Sequence, residues 1–123
     1  MNWQTVDIVE VYEIHKALIK RAGTKAGIRD FGLLHSAVER PKATFEGKDL
    51  YPTIFLKAGA LLQAFSDGNK RTAWLATKRF LYSNHYHLKS NRMEAADFMV
   101  YLDNSHPPLA EISSWIKNHS TKI

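Results

Sequence analysis

Cysteine is absent from the 123 residues of this chain, which removes disulfides, thiolate metal sites and cysteine nucleophiles together. That absence fits a reducing compartment. No apolar run approaches the roughly 20 residues that a membrane helix needs. The opening stretch, MNWQTVDIVEVYEIHK, lacks the basic start and small-residue cleavage site of a secretory signal. A cytoplasmic protein is expected. With 45% hydrophobic and 24% charged residues the composition indicates neither disorder nor a fibrous repeat. The length suits one domain, residues 1–123, closed around one hydrophobic core.

Acid is the scarcer charge: 12 Asp and Glu stand against 17 Lys and Arg, a formal net charge of +5. An anionic partner is favoured, whether nucleic acid, a nucleotide or an acidic protein surface. The bases run from Lys16 to Lys122 without forming a tract, so charge describes a solvated basic surface as readily as a binding face. No helix-turn-helix pattern or aromatic-basic interleaving sharpens a direct nucleic-acid role.

Most of the chain carries a helical period. Ile8, Val11, Tyr12, His15 and Ile19 recur on one face of a helix expected over residues 5–22, with Gly23 as its stop. Asp30 is expected to cap a short helix, FGLLHSAVE, that Pro41 ends. RPKATFEGKDLYP then reads as a long connection with exposed aromatics, of a length that is often functional. Pro52 and Thr53 open a helix lined by Ile54, Ala58, Leu61, Leu62 and Phe65.

The next helix starts near Lys70 and is apolar on more than one side, through Ala73, Trp74, Leu75, Ala76, Phe80 and Leu81. It is expected to lie deepest. Asn91 with Glu94 forms a capping-box pattern before a helix that turns Ala95, Phe98, Met99 and Leu102 inward. NSHPP breaks it, and a last helix carries Leu109, Ile112, Trp115 and Ile116. Only HYHLK alternates like a strand, and it is too short to make a sheet alone. The expected fold is an all-α bundle of about six helices without internal repeats.

Chemistry concentrates in AFSDGNKRTAW, residues 64–74. A helix start leaves amide hydrogens unpaired and carries the positive end of the macrodipole, so it attracts anions. Gly68 permits close approach of a ligand to the backbone, Asn69 suits left-handed or capping geometry, and Lys70 and Arg71 add full positive charge. Asp67 would repel a bare phosphate, a conflict that a magnesium ion between carboxylate and phosphate removes. A nucleoside triphosphate with magnesium is the ligand this suggests. The same residues also make an ordinary turn and N-cap with two solvated bases, and spacing does not separate the two readings. A P-loop is excluded, because no glycine-spaced loop precedes Lys-Ser/Thr.

The remaining candidates are weaker. His15 on the apolar stripe is expected to be packed and hydrogen-bonded, and His35 to be structural. His85 and His87 flank Tyr86 without a nearby carboxylate, poor grounds for a metal site. His106 and His119 are expected in solvent. Trp74 is expected in the core, with the option of flanking an adenine, and Trp3 to staple the start of the first helix or meet a partner.

FSDGNKRTA resembles the central part of the Fic/Doc signature, His-Pro-Phe-x-Asp-Gly-Asn-Lys-Arg. GIRDFGLLHSAVERPKATFEGKDLYP and FLYSNHYHL are similar to the flanking segments of death-on-curing toxins, so the resemblance covers roughly residues 8–90. It implies a helical Fic fold, a toxin paired with a Phd-like antitoxin whose helix fills a groove beside the active site, and ATP-dependent modification of a target hydroxyl. Fic relatives mostly transfer AMP. The Doc branch, favoured by the short chain and the LYP loop, transfers the γ-phosphate to a threonine of elongation factor Tu and halts translation.

Carried onto this sequence, the resemblance implies that Asp67 binds magnesium or orients the nucleophile. Gly68, Asn69, Lys70 and Arg71 would hold the ATP phosphates, with Lys70 and Arg71 stabilising charge in the transition state. Residues 42–45 would lie in the substrate-aligning flap. One position departs: the family's histidine base should stand two residues before Phe65, where this chain has Gln63. Family members continue for several residues between the ALL segment and His-Pro-Phe, and removing about six residues from a helix rotates the downstream segment by roughly 240° and draws it back by ~9 Å. An inactive relative, a replacement base and a short segment missing from this chain all account for the departure. The alternatives to a kinase are therefore a non-catalytic Fic-fold module that binds nucleotide or antitoxin, and a protein AMP-transferase.

Overall fold

The computed structural model describes residues 3–21, 23, 28–65 and 70–123, with the backbone alone for residues 28–30. Within them lie six α-helices: α1 (Ile8–Arg21), α2 (Ile28–Glu39), α3 (Ile54–Phe65), α4 (Lys70–Ser83), α5 (Arg92–Ser105) and α6 (Leu109–Asn118). Two small antiparallel ribbons accompany them, β1 (Thr44–Phe45) with β2 (Lys48–Asp49) and β3 (Tyr86–Leu88) with β4 (Ser120–Lys122). The all-α expectation is borne out.

Helix boundaries follow local hydrogen bonding. The Asp7 carboxylate accepts the Val9 amide at 2.8 Å and its carbonyl accepts the Val11 amide, so α1 starts at Ile8 and not at residue 5. Gly23 turns the chain at φ +79°, the left-handed conformation that glycine adopts without penalty. α2 begins at Ile28, two residues before Asp30, so Asp30 falls inside the helix and is not its cap. Acids favour the first turn as well as the cap position, and a sequence does not separate the two. The Asn91–Glu94 box forms as expected: the Asn91 side chain accepts the Glu94 amide at 2.8 Å, and the Glu94 carboxylate accepts the Asn91 amide at 3.3 Å.

The deepest helix is α3 rather than α4. Seven of the twelve α3 residues are buried, Lys57 through Leu62 without interruption, against six of fourteen in α4. Small side chains explain the difference. Ala58, Gly59 and Ala60 let α6 approach so closely that a Cβ on Gly59 would meet Leu109 Cδ1 at 3.1 Å. The second apolar side of α4 opens to solvent, with Leu75 39% exposed.

Phe80, Leu81, Leu61, Leu62, Ile112 and Ile116 form the heart of the core, with Leu34 and Val38 of α2 joining it. Trp115 lies against Phe98 with ring centroids 3.9 Å apart and planes within 3°. The partner strand for residues 86–88 comes from 120–122, which carries no strand signal of its own. His119, expected in solvent, is half-buried: its ring stacks on Trp115 and its Nδ1 lies 2.7 Å from the Trp115 carbonyl oxygen. One helical turn separates the pair, so the indole shelters the imidazole.

Candidate functional site

Two helices meet the segment that carries the motif. α3 ends at Phe65, which is 2% exposed, and α4 starts at Lys70 with Thr72 and Ala73 buried just behind it. Both flanks are therefore held by the core. Asp67, Gly68 and Asn69 lie outside the described residues.

Lys70 and Arg71 occupy the first turn of α4 and are both exposed. Their ammonium and guanidinium groups add to the free amides and positive dipole end expected of any helix start. Lys70 Nζ lies 2.8 Å from an Asp103 carboxylate oxygen on α5. That pair is partly solvated, and an exposed ion pair holds a side chain only weakly. Lys70 can thus be redirected to a stronger anion at small cost.

Arg71 faces an open pocket of about 730 Å³ between α1, α4 and the start of α5. Arg21, Lys70, Lys78 and Arg92 share its wall, and no acid does among the described residues. Leu18, Trp74 and Met99 supply apolar surface. A cationic rim around a partly apolar floor suits an anionic ligand with a flat or apolar part. The motif marked Lys70 and Arg71; Arg21 and Arg92 were missed, because no spacing in the sequence connects them to residue 71.

Gln63 is exposed on the last turn of α3. A carboxamide offers no site that takes up a proton near neutral pH. His15, by contrast, is packed as expected: it is 3% exposed, with Nδ1 2.9 Å from Thr72 Oγ1. His35 is exposed and stacks beside Phe31 at 6.3 Å between centroids. No cluster of three His, Cys, Asp or Glu among the described residues is placed to hold a metal. Trp74 is only half-buried, meets Trp115 edge-on at 6.0 Å and still reaches the pocket wall. Trp3 meets Phe80 edge-on at 6.0 Å, so it packs on the core.

The long connection before α3 is ordered into a hairpin. Arg40–Lys42 form a single 3₁₀ turn with Pro41 buried, and Thr44 pairs with Asp49 and Phe45 with Lys48. Glu46 at φ +52° and Gly47 at φ +79° make the tight reversal that matches strand twist. Phe45 at its tip is 68% exposed, whereas Tyr51 at its base is 8% exposed and accepts a hydrogen bond from Arg40 Nε at 3.1 Å. Of the two aromatics in this connection, one is available to a partner.

These features define an all-α domain that presents a cationic helix start and an ordered hairpin. Residues 5–81 match the model of the Fic/DOC family, well over half of the chain, and the chain belongs to that family. It is similar to Toxin Doc of Mycolicibacterium smegmatis (strain ATCC 700084 / mc(2)155), 48% identical over 84 residues that cover 63% of this chain and 60% of the relative. The death-on-curing branch expected from the motif is supported by that match. The aligned length of 84 exceeds 63% of 123 residues, so the match opens gaps in this chain. The chain spans about 60% of the length of that relative. No solved structure gives a significant match. Among the described residues no helix is long and apolar enough to cross a membrane.

Proposed function

We propose that this chain is a Doc-like toxin of a type II toxin–antitoxin pair, a phosphotransferase that moves the γ-phosphate of ATP to a protein hydroxyl. A threonine of elongation factor Tu is the proposed target, and arrested translation the consequence. The observation that carries the reading is the pocket beside Arg71, with five cations and no acid among its described lining residues. Phosphoryl transfer asks mainly for positioning and for positive charge around the moving group, and this wall offers both.

In this reading Arg71 and Lys70 hold the phosphates, Lys70 leaving Asp103 to do so, and the amides of Gly68 and Asn69 complete the cradle. Magnesium, when bound, neutralises phosphate charge; Asp67 would be its protein ligand, with phosphate oxygens and water supplying the rest, as is usual for this ion. A Phd-like antitoxin is the proposed regulatory partner.

Gln63 favours a second reading, a Fic-fold module that binds nucleotide or antitoxin without transfer. Loss of a general base lowers a rate by about 10²–10⁴. ATP labelled separately at the α- and γ-phosphates, incubated with elongation factor Tu and protein expressed from the native gene, tests these readings. Transfer of the γ-label supports the kinase, transfer of the α-label supports AMP transfer, and nucleotide binding with neither label moved leaves the non-catalytic module.

A further inference from the structure

Lys57 in α3 is wholly buried, at 0% exposure, a rare place for a lysine. Its Nζ donates to the Tyr51 carbonyl at 2.6 Å, to an Asp49 carboxylate oxygen at 3.1 Å and to the Pro41 carbonyl at 3.4 Å. An ammonium has three protons, so the set is complete. The Trp3 ring covers the group, with Nζ 4.6 Å from its centroid. Burying a charge is costly, and an apolar side chain at this position would avoid that cost.

The partners show what the charge accomplishes. Pro41 precedes the hairpin, Asp49 belongs to its second strand and Tyr51 comes just after it. One ammonium therefore draws both ends of residues 41–51 onto α3. The hairpin has only two residue pairs and an exposed tip, too little to hold its own orientation. The ties of Arg40 to Tyr51 and of Leu50 to Ala43 at its base lie within the loop and do not reach α3.

We infer that Lys57 is the positioning residue of the β1–β2 hairpin: through Pro41, Asp49 and Tyr51 it presets the edge against which the polypeptide substrate is aligned. This rests on the reading of the chain as a protein-modifying toxin in which the hairpin is the flap. Lys57 touches neither substrate nor phosphate; it acts through the backbone it holds.

The test compares wild type with Lys57→Met and Asp49→Asn in two readouts. Amide hydrogen exchange of Leu50, whose N–H donates to the Ala43 carbonyl at 2.9 Å, reports the hairpin against the amides of α4 and α6. Lys57→Met is expected to speed Leu50 exchange about tenfold relative to those helices, since local opening is set by local contacts. Steady-state kinetics with elongation factor Tu should show KM raised about tenfold and kcat within about twofold, the signature of lost binding rather than lost chemistry.

Unchanged Leu50 exchange, or equal acceleration throughout the chain, overturns the clamp. Faster Leu50 exchange with KM unchanged overturns the substrate-positioning half. Should Lys57→Met not fold, Asp49→Asn decides: it replaces the carboxylate by a neutral amide oxygen and so weakens one of the three contacts, so about threefold faster Leu50 exchange is expected and none overturns the inference. If wild type transfers no phosphate, the proposed function fails on that ground while the exchange readout still judges the clamp.

Discussion

His15 Nδ1 on α1 lies 2.9 Å from Thr72 Oγ1 on α4, and both side chains are almost wholly buried. The contact joins residues 57 positions apart and lands on the first turn of α4, next to Arg71. A buried polar pair at that place fixes the angle at which the cationic helix start leaves the core. Two facing apolar residues would fill the space without selecting an orientation.

Thr72→Val keeps the side-chain shape and removes the hydroxyl. Its expected cost is about 1 kcal/mol, the size of one lost internal hydrogen bond with a polar group left behind. Urea denaturation should show a lower midpoint with unchanged slope; an unchanged midpoint would mean that the pair adds nothing to stability.

Arg71 is exposed and its proposed task is to hold phosphate, so Arg71→Ala should leave stability within about 0.5 kcal/mol of wild type. Growth arrest on expression should disappear. A melting curve and a viability count made on the same variant separate the two effects, and toxicity at the wild-type level would remove Arg71 from the site.

Asn91→Ala opens the capping box at the start of α5. The expected loss is about 1 kcal/mol. Because Asn91 and Arg92 border the cationic pocket, nucleotide affinity should weaken too. Thermal unfolding and a calorimetric titration with ATP, each compared with wild type, check the two halves.

Tyr101 donates its phenol proton to the Glu111 carboxylate. That hydrogen bond, together with desolvation and the Glu111 charge as smaller causes, raises the phenol pKa above its ordinary value of 10.0. A folded-state pKa above the unfolded one means that the contribution to stability is fully present below about pH 10 and is lost as pH rises through the raised value. In an ultraviolet titration of tyrosinate formation, Tyr101→Phe should remove a late-ionising component; an unchanged upper limb would rule out the assignment.

The chain is legible where the determining contacts are a few residues apart. The Asn91 and Glu94 box, the turn at Gly23, the break at Pro41 and the inward faces of α5 and α6 rest on neighbours within one or two turns, so residue type and period reveal them. The motif FSDGNKRTA likewise carried the family. Asp30 was misplaced by three residues because cap and first turn favour the same acids.

Long-range packing set the remainder. α3 displaced α4 as the deepest helix because Gly59 faces Leu109, fifty positions away. Arg21 and Arg92 joined Arg71 on one wall, Lys57 gathered oxygens from Pro41, Asp49 and Tyr51, and residues 120–122 became the partner of 86–88. Residue type and near neighbours were enough to specify the helices and the two bases, Lys70 and Arg71, that open one of them. Which distant charges share that wall, and which buried cation gathers the two ends of the hairpin, depend on side chains brought together only after the helices have closed on one core.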